Sequence, residues 1–92
     1  MTPPPGCYLR DMREANGKTV REVAQVLRML RLCGQGRVWP GSLGLEQLLV
    51  DIEGGHRAPT PDQLLSLTLA FPFHLARFRE LTRLRLLEVV NG

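Results

Sequence analysis

Apolar positions between residues 45 and 52 recur at helical spacing, which predicts a helix with one buried face. They are Leu45, Leu48, Leu49 and Ile52. Gly54 and Gly55 follow after Glu53, and glycine ends a helix readily because it adopts left-handed backbone conformations without steric cost. The next helix begins at Pro61 and runs to about Ala70. Its start is marked by Thr60 and Gln63, which are spaced as a capping box.

The beginning of the chain predicts a short lead and then a first helix. Residues 1–7 include three consecutive prolines, which favour an extended, flexible chain. Helix one covers Tyr8 to Ala15, and the spacing of its apolar residues turns Arg10 and Arg13 towards water. Residues 8–92 are therefore predicted to form a single folded domain.

Helix two begins with a second capping box, Thr19 with Glu22, and ends between residues 30 and 33. The last segment, residues 74–90, is apolar on more than one side, so part of it requires a covering partner. A helix is the favoured interpretation there. A strand is the alternative, because arginine and leucine alternate from Arg83 onwards. The predicted fold class is all-α, with five helices.

Length and composition exclude only a few classes of function. The 92 residues suffice for one domain, and 12 Lys and Arg against 9 Asp and Glu give a net charge of +3, which permits a nucleic-acid partner without requiring one. The chain has no apolar run of about 20 residues and no secretion signal, which predicts a cytoplasmic protein without a membrane span. Cys7 and Cys33 are expected to be free thiols. The residues form no metal, cofactor or catalytic pattern, so an enzyme is not predicted.

Two stretches of the chain resemble one family. Residues 52–65, IEGGHRAPTPDQLL, and residues 9–24, LRDMREANGKTVREVA, are similar to the Cro/repressor-type (xenobiotic-response-element) helix-turn-helix family. Its members commonly have I-E-x-G, two or three polar or basic residues, and then P-[ST]-x-x-x-L. The resemblance implies a transcriptional regulator, for example a repressor, that binds double-stranded DNA as a homodimer. Its third helix would enter the major groove.

Relative to this family, the chain has an insertion between helices two and three. Ala24 and Ile52 are 28 residues apart (52 − 24), where the resemblance implies about 13. The inserted loop spans residues 28–43 and contains the only tryptophan, Trp39. We expect Trp39 to fold back over helices two and three; the alternative is that it anchors a partner protein.

The resemblance assigns base reading to the outward positions of helix three. These are Glu46, Gln47, Val50 and Asp51. Glutamine can pair with adenine, and a carboxylate can accept from cytosine N4. Two carboxylates near phosphates are unfavourable unless each finds such a donor. The alternative interpretation is therefore a solvated helix face that does not read DNA.

Basic residues around this helix are the candidates for phosphate contacts. They are Lys18, Arg21, Arg28, Arg31, Arg37, His56 and Arg57. A further set is predicted to contact a second copy or another protein: Trp39, Leu69, Leu81, Leu84 and Leu87. The alternative function is a helix-turn-helix-derived interaction module, such as an inhibitor, an antitoxin-like protein or a polymerase-binding adaptor, that has lost base reading.

Overall fold

The structure, a computed structural model, describes residues 4–30, 39 and 44–91, and the side chains of this part through residue 88. Within it the chain forms five α-helices and no strand. They are α1 (Pro5–Ala15), α2 (Val20–Leu30), α3 (Leu45–Glu53), α4 (Pro61–Ala70) and α5 (Leu75–Asn91). The predicted all-α class with five helices is confirmed. The alternative of a C-terminal strand is wrong, because residues 75–91 are helical.

Both predicted capping boxes are present. Thr60 Oγ1 accepts from the backbone N–H of Gln63 at 3.1 Å, and Gln63 Oε1 accepts from the N–H of Thr60 at 3.0 Å. Thr19 and Glu22 exchange the same pair of hydrogen bonds, both at 3.1 Å. These side chains satisfy N–H groups that the first helical turn leaves without a backbone partner.

α1 begins at Pro5, three residues before the predicted start at Tyr8. Proline suits the first helical turn, and Gly6 is buried where α1 meets the end of α3. A Cβ atom at Gly6 would overlap the carbonyl oxygen of Ile52 and lie 2.9 Å from the Cα atom of Glu53. Residues 5–7 therefore belong to the packed domain and not to a flexible lead, and residues 1–3 lie outside the described part.

The core is built around α3. This helix packs against α1 and α2, while α4 packs against α2 and α5 against α1. Trp39 belongs to the same buried cluster, with only 4% of its surface exposed. The prediction that Trp39 folds back onto the helices is confirmed. The alternative of an exposed partner anchor is wrong, because an indole with so little accessible surface cannot be the main contact of a partner.

The apolar spacing of α1 predicted that Arg13 faces water. This prediction is wrong, because the side chain is largely buried. Its Nε atom donates to Glu53 Oε2 at 2.8 Å and its Nη2 atom to Glu53 Oε1 at 3.0 Å, while Nη1 donates to the carbonyl oxygen of Lys18 at 2.8 Å. Both charged side chains are 11% exposed. The hydrogen bond with Glu53 raises the pKa of Arg13 above its usual value. One guanidinium thus joins α1, the loop before α2 and the end of α3.

α5 is anchored at its beginning and exposed further along. Phe78 is buried, and the backbone N–H of His74 donates to the Tyr8 hydroxyl of α1 at 3.1 Å. Beyond residue 82 the described apolar side chains of α5 are exposed to different extents, Leu84 least and Leu86 most, with Leu87 between them. No helix in the described part of the chain is long and apolar enough to cross a lipid bilayer.

Candidate nucleic-acid interface

The outward face of α3 is open to solvent. Glu46, Gln47 and Val50 are exposed and Asp51 is half-buried, whereas Leu48 and its neighbours on the opposite side are buried. The four predicted base-reading residues therefore lie together on one accessible helix face. Trp39 does not cover them, since it is packed into the core.

Two of these residues are paired with each other. Gln47 Nε2 donates to Asp51 Oδ1 at 3.0 Å, one helical turn away. Such an i, i+4 pair stabilises a helix modestly and fixes the orientation of the amide. The bond uses one N–H of Gln47 and one oxygen of Asp51, so the amide still has an acceptor and a donor and the carboxylate still has a second acceptor oxygen. Sequence analysis placed both residues on this face but did not predict the pair, although their spacing was the available signal.

Glu53, by contrast, was missed as a positioning residue. It ends α3 and is 8% exposed, and its carboxylate is held by Arg13 of α1. Because Arg13 also holds the carbonyl oxygen of Lys18, the loop before α2 lies beside the C-terminal end of α3. A partner 40 residues away in sequence gives no periodic signal, so spacing alone did not reveal this contact.

The predicted phosphate-contacting residues fall into two described groups. Lys18 and Arg21 are exposed at the start of α2, and His56 and Arg57 are exposed in the loop after α3. The loop with His56 and Arg57 follows the C-terminal end of α3, and Arg13 holds the backbone of Lys18 beside that same end. Arg28 is half-buried and already takes part in another interaction. Arg31 and Arg37, like most of the inserted loop, lie outside the described residues.

Free backbone N–H groups at a helix start can bind an anion, but the N–H just before α2 already donates to a carboxylate. The Glu22 carboxylate accepts from the N–H of Thr19, and this hydrogen bond, together with the Thr19 hydroxyl, lowers the pKa of Glu22. A negative charge is therefore already present at this helix start. Lys18 and Arg21 remain the groups of this region that could meet a phosphate.

The residues predicted to contact a second copy lie on different helices. Leu69 is on α4 and is 61% exposed, whereas Leu84 and Leu87 lie one turn apart on α5, and Leu81 of α5 is half-buried. Trp39, in the same predicted set, is buried. The residues that remain accessible as a pair on one helix side are Leu84 and Leu87.

The described residues contain no cluster of three or more side chains suited to hold a metal ion.

No family model matches the chain, and neither a curated protein nor a solved structure is significantly similar to it.

Proposed function

We propose that the protein is a cytoplasmic transcriptional regulator that binds duplex DNA as a homodimer, with α3 in the major groove. The observation that carries this proposal is the open outward face of α3 on a helix held firmly from behind. Leu45, Leu49 and Ile52 anchor the helix in the core, and the Arg13–Glu53 pair fixes its C-terminal end. A short helix presented in this way suits insertion into a groove about 12 Å wide.

The Gln47–Asp51 pair supports a specific form of base reading. With one N–H of Gln47 held by Asp51, the amide keeps an acceptor and a donor for the N6 and N7 positions of adenine. The free oxygen of Asp51 can accept from cytosine N4. Glu46 offers the same acceptor chemistry one residue before Gln47. The acidic residues are thus compatible with a groove in which each carboxylate meets a donor.

The exposed basic groups would supply the nonspecific part of the affinity. The backbone of Lys18 is held beside the C-terminal end of α3, and His56 and Arg57 follow that end in the chain. Arg21 is exposed at the start of α2. Neutralising phosphates releases counterions, so binding should weaken as salt rises, with a logarithmic slope of about −0.9 per phosphate contact. Few contacts predict a shallow slope and modest affinity.

The experiment is selection of duplexes from a random pool by the full chain at low salt, followed by affinity measurements on the selected sequence. Gln47→Ala should reduce discrimination at one base pair by about 1–3 kcal/mol. Gln25→Ala, an exposed glutamine of α2, is the matched control and should leave discrimination intact. Failure to retain any duplex at low salt would refute the proposal, and equal losses on specific and random duplex would remove base reading from Gln47.

An interaction module without base reading is a second candidate, favoured by the exposed leucines of α5. Leu84, Leu86 and Leu87 are 37%, 60% and 50% exposed, which is unusual for three leucines within four residues. This function predicts no retardation of any duplex. It also predicts that substitutions on α3 are silent, whereas substitutions on α5 abolish partner binding.

A further inference from the structure

A cavity of about 380 Å³ lies where the start of α1, the loop after α3 and the C-terminal half of α5 meet. Its lining is mainly apolar and includes Pro4, Pro5, Ile52, Phe78 and Leu86. An apolar cavity of about 150 Å³ holds one benzene ring, so this volume has room for a ligand of two fused rings. None of the outward residues of α3 lines the cavity, so a ligand there would leave the base-reading face open.

The wall between Pro4 and the loop is formed by close packing of the backbone. Gly55 has a φ angle of 81°, a left-handed conformation that glycine adopts without strain. A Cβ atom at Gly55 would lie only 2.7 Å from Cβ of Pro4, so a larger residue would push the loop away from the start of α1. A ligand therefore meets a wall that is already in place. A rigid ligand suits such a wall, because it has little rotational freedom to lose on binding.

The polar groups of the lining do not provide for a charged ligand inside the cavity. No Asp or Glu is among the described residues that line it. Arg85 lines the cavity but already takes part in another interaction, and the Thr82 hydroxyl donates to the carbonyl oxygen of Phe78 at 3.0 Å. An ion enclosed by these walls would lose its hydration without a compensating partner. The lining therefore favours a neutral ligand.

Arg57 distinguishes an aromatic ligand from a saturated one. It lines the cavity and is exposed, so it lies where the cavity opens to solvent. Its planar guanidinium can lie against the face of an aromatic ring, to which a cation is attracted electrostatically. Phe78 adds a second ring within the lining, and aromatic rings attract one another beyond their apolar contact. A saturated ring system of the same size would fill the volume but gain neither attraction.

We propose that this cavity binds a small neutral molecule with two fused aromatic rings, such as an indole or naphthalene derivative. The prolines, Ile52 and Phe78 would bury the rings, and Arg57 would cover them on the solvent side. A single ring would leave part of the volume unfilled. A charged group would have no partner within the walls.

Arg57 also connects the cavity to the proposed function. It is one of the residues proposed to meet a DNA phosphate, and its guanidinium would have to leave that phosphate to lie on a bound ring. Bound ligand should therefore weaken DNA binding and lower the logarithmic salt slope by about 0.9 for each copy of the chain, the contribution of one phosphate contact. This regulatory consequence rests on the proposed function, whereas the binding site itself does not.

The first test is calorimetric titration of the full chain, without DNA, with 2-naphthol and related probes. 2-Naphthol should bind at least about tenfold more tightly than phenol, because it buries a second ring. Decahydro-2-naphthol has the same skeleton and hydroxyl without aromatic rings, and should bind about two- to fivefold more weakly than 2-naphthol. The anion 2-naphthoate should bind no more tightly than 2-naphthol. Equal binding of phenol, equal binding of the saturated alcohol or tighter binding of the anion would overturn the proposal.

Variants then locate the site. Arg57→Gln should lower 2-naphthol affinity about two- to fivefold and leave decahydro-2-naphthol affinity unchanged, which a merely structural role of Arg57 would not do. Arg79→Gln, at an exposed arginine of α5 outside the lining, should change neither.

Leu86→Asp places a charge in the apolar lining and should lower 2-naphthol affinity at least about tenfold. Leu87→Asp, at the next leucine of α5 and outside the lining, is the matched control and should leave the affinity unchanged. Both leucines are exposed, so both variants are expected to remain folded, which circular dichroism would verify. Equal effects of Leu86→Asp and Leu87→Asp would contradict the site.

The final test separates this inference from DNA binding. 2-Naphthol should reduce affinity for a selected duplex, and Arg57→Gln should remove most of that reduction. If 2-naphthol binds as predicted but no duplex is retained, the cavity proposal stands and the proposed function fails. If 2-naphthol affinity falls as the protein concentration is raised and the chain dimerises, a second copy covers the cavity, and the cavity proposal fails whatever the DNA result.

Discussion

The α1–α3 interface buries charged side chains, whereas the outer half of α5 exposes apolar ones. At the α1–α3 interface, glycine at position 6 allows backbone contact with Ile52, and a charged pair, Arg13 with Glu53, is almost withdrawn from water. In the outer half of α5, leucines that would normally be buried are exposed. A charged residue is thus structural in one region, whereas apolar residues are left at the surface in the other.

Because of this difference, we expect substitutions at the α1–α3 interface to change folding stability and substitutions in the outer half of α5 to change association. A well-packed interface that includes a hydrogen-bonded ion pair tolerates little change, because a substitution leaves a clash or an unpaired charge. An exposed helix side tolerates substitution with little effect on folding, since its residues lose no contacts. The residues that hold α3 in place and those available to a partner should therefore respond to mutation in different assays.

Gly6→Ala should produce the largest loss of stability. The added Cβ atom would overlap the Ile52 carbonyl oxygen, which is backbone and cannot move aside alone, so we expect a loss of about 3 kcal/mol in the free energy of unfolding. Urea denaturation followed by circular dichroism measures it. Gly17→Ala is the control: that glycine has a φ of 68° but no neighbour within 4 Å, so only backbone strain of about 1–2 kcal/mol applies. Unchanged stability of Gly6→Ala would show that α1 does not approach α3 this closely.

Arg13→Met should cost somewhat less, about 2–3 kcal/mol. Removing one partner leaves the Glu53 carboxylate with little solvent, but the remaining 11% exposure of each side chain reduces the penalty expected for a fully buried pair. Arg10→Met on the exposed side of α1 is the matched control and should change stability by less than about 0.5 kcal/mol.

A double-mutant cycle with Glu53→Gln isolates the pair. If Arg13 and Glu53 act together, the double variant should be clearly less destabilised than the sum of the two single variants. Strict additivity would mean that the loss in Arg13→Met comes from its hydrogen bond to the Lys18 carbonyl and from side-chain packing instead.

The helices of this fold were predictable from sequence because their signals are local. Thr60 and Gln63, three residues apart, predicted the start of α4, and the apolar spacing of residues 45–52 predicted both α3 and its exposed side. The outward position of Glu46 and Gln47 follows from that periodicity. The accessible part of the candidate interface was therefore correctly anticipated as a surface.

The contacts between distant segments were not predictable in the same way. Arg13 lies on a position that periodicity assigns to water, and only the approach of α3 gives it a buried partner 40 residues away. Gly6 follows prolines that suggested an extended lead, yet its missing side chain is what allows α1 to begin there. A cavity lined by Pro4, Ile52 and Phe78 likewise depends on three segments meeting, which no single stretch of sequence indicates.

Thr60→Ala should lower the free energy of unfolding less than Arg13→Met does, but more than substitutions on the exposed side of α5. It removes one local hydrogen bond, from the Gln63 N–H, without disturbing the core, so we expect a loss of about 1 kcal/mol in the free energy of unfolding. Thr60→Ser keeps the hydroxyl and should retain most of the stability. An effect as large as that of Arg13→Met would indicate that this capping box holds the loop after α3 as well as α4.

Leu84→Lys with Leu87→Lys should have the smallest effect on folding and the clearest effect on association. Both side chains are exposed, so the free energy of unfolding, measured at a concentration where the chain is monomeric, should change by less than about 0.5 kcal/mol. If this side of α5 joins two copies, sedimentation equilibrium should show a dimer for the unmodified chain and a monomer for the double variant, because lysine at an apolar interface is strongly disfavoured. Met29→Lys, at a 65% exposed methionine of α2, should leave the dimer intact. A monomeric unmodified chain, or a dimer unaffected by both lysines, would place the homodimer contact elsewhere or remove it, and the exposed leucines would then have to be covered by another protein or by nothing.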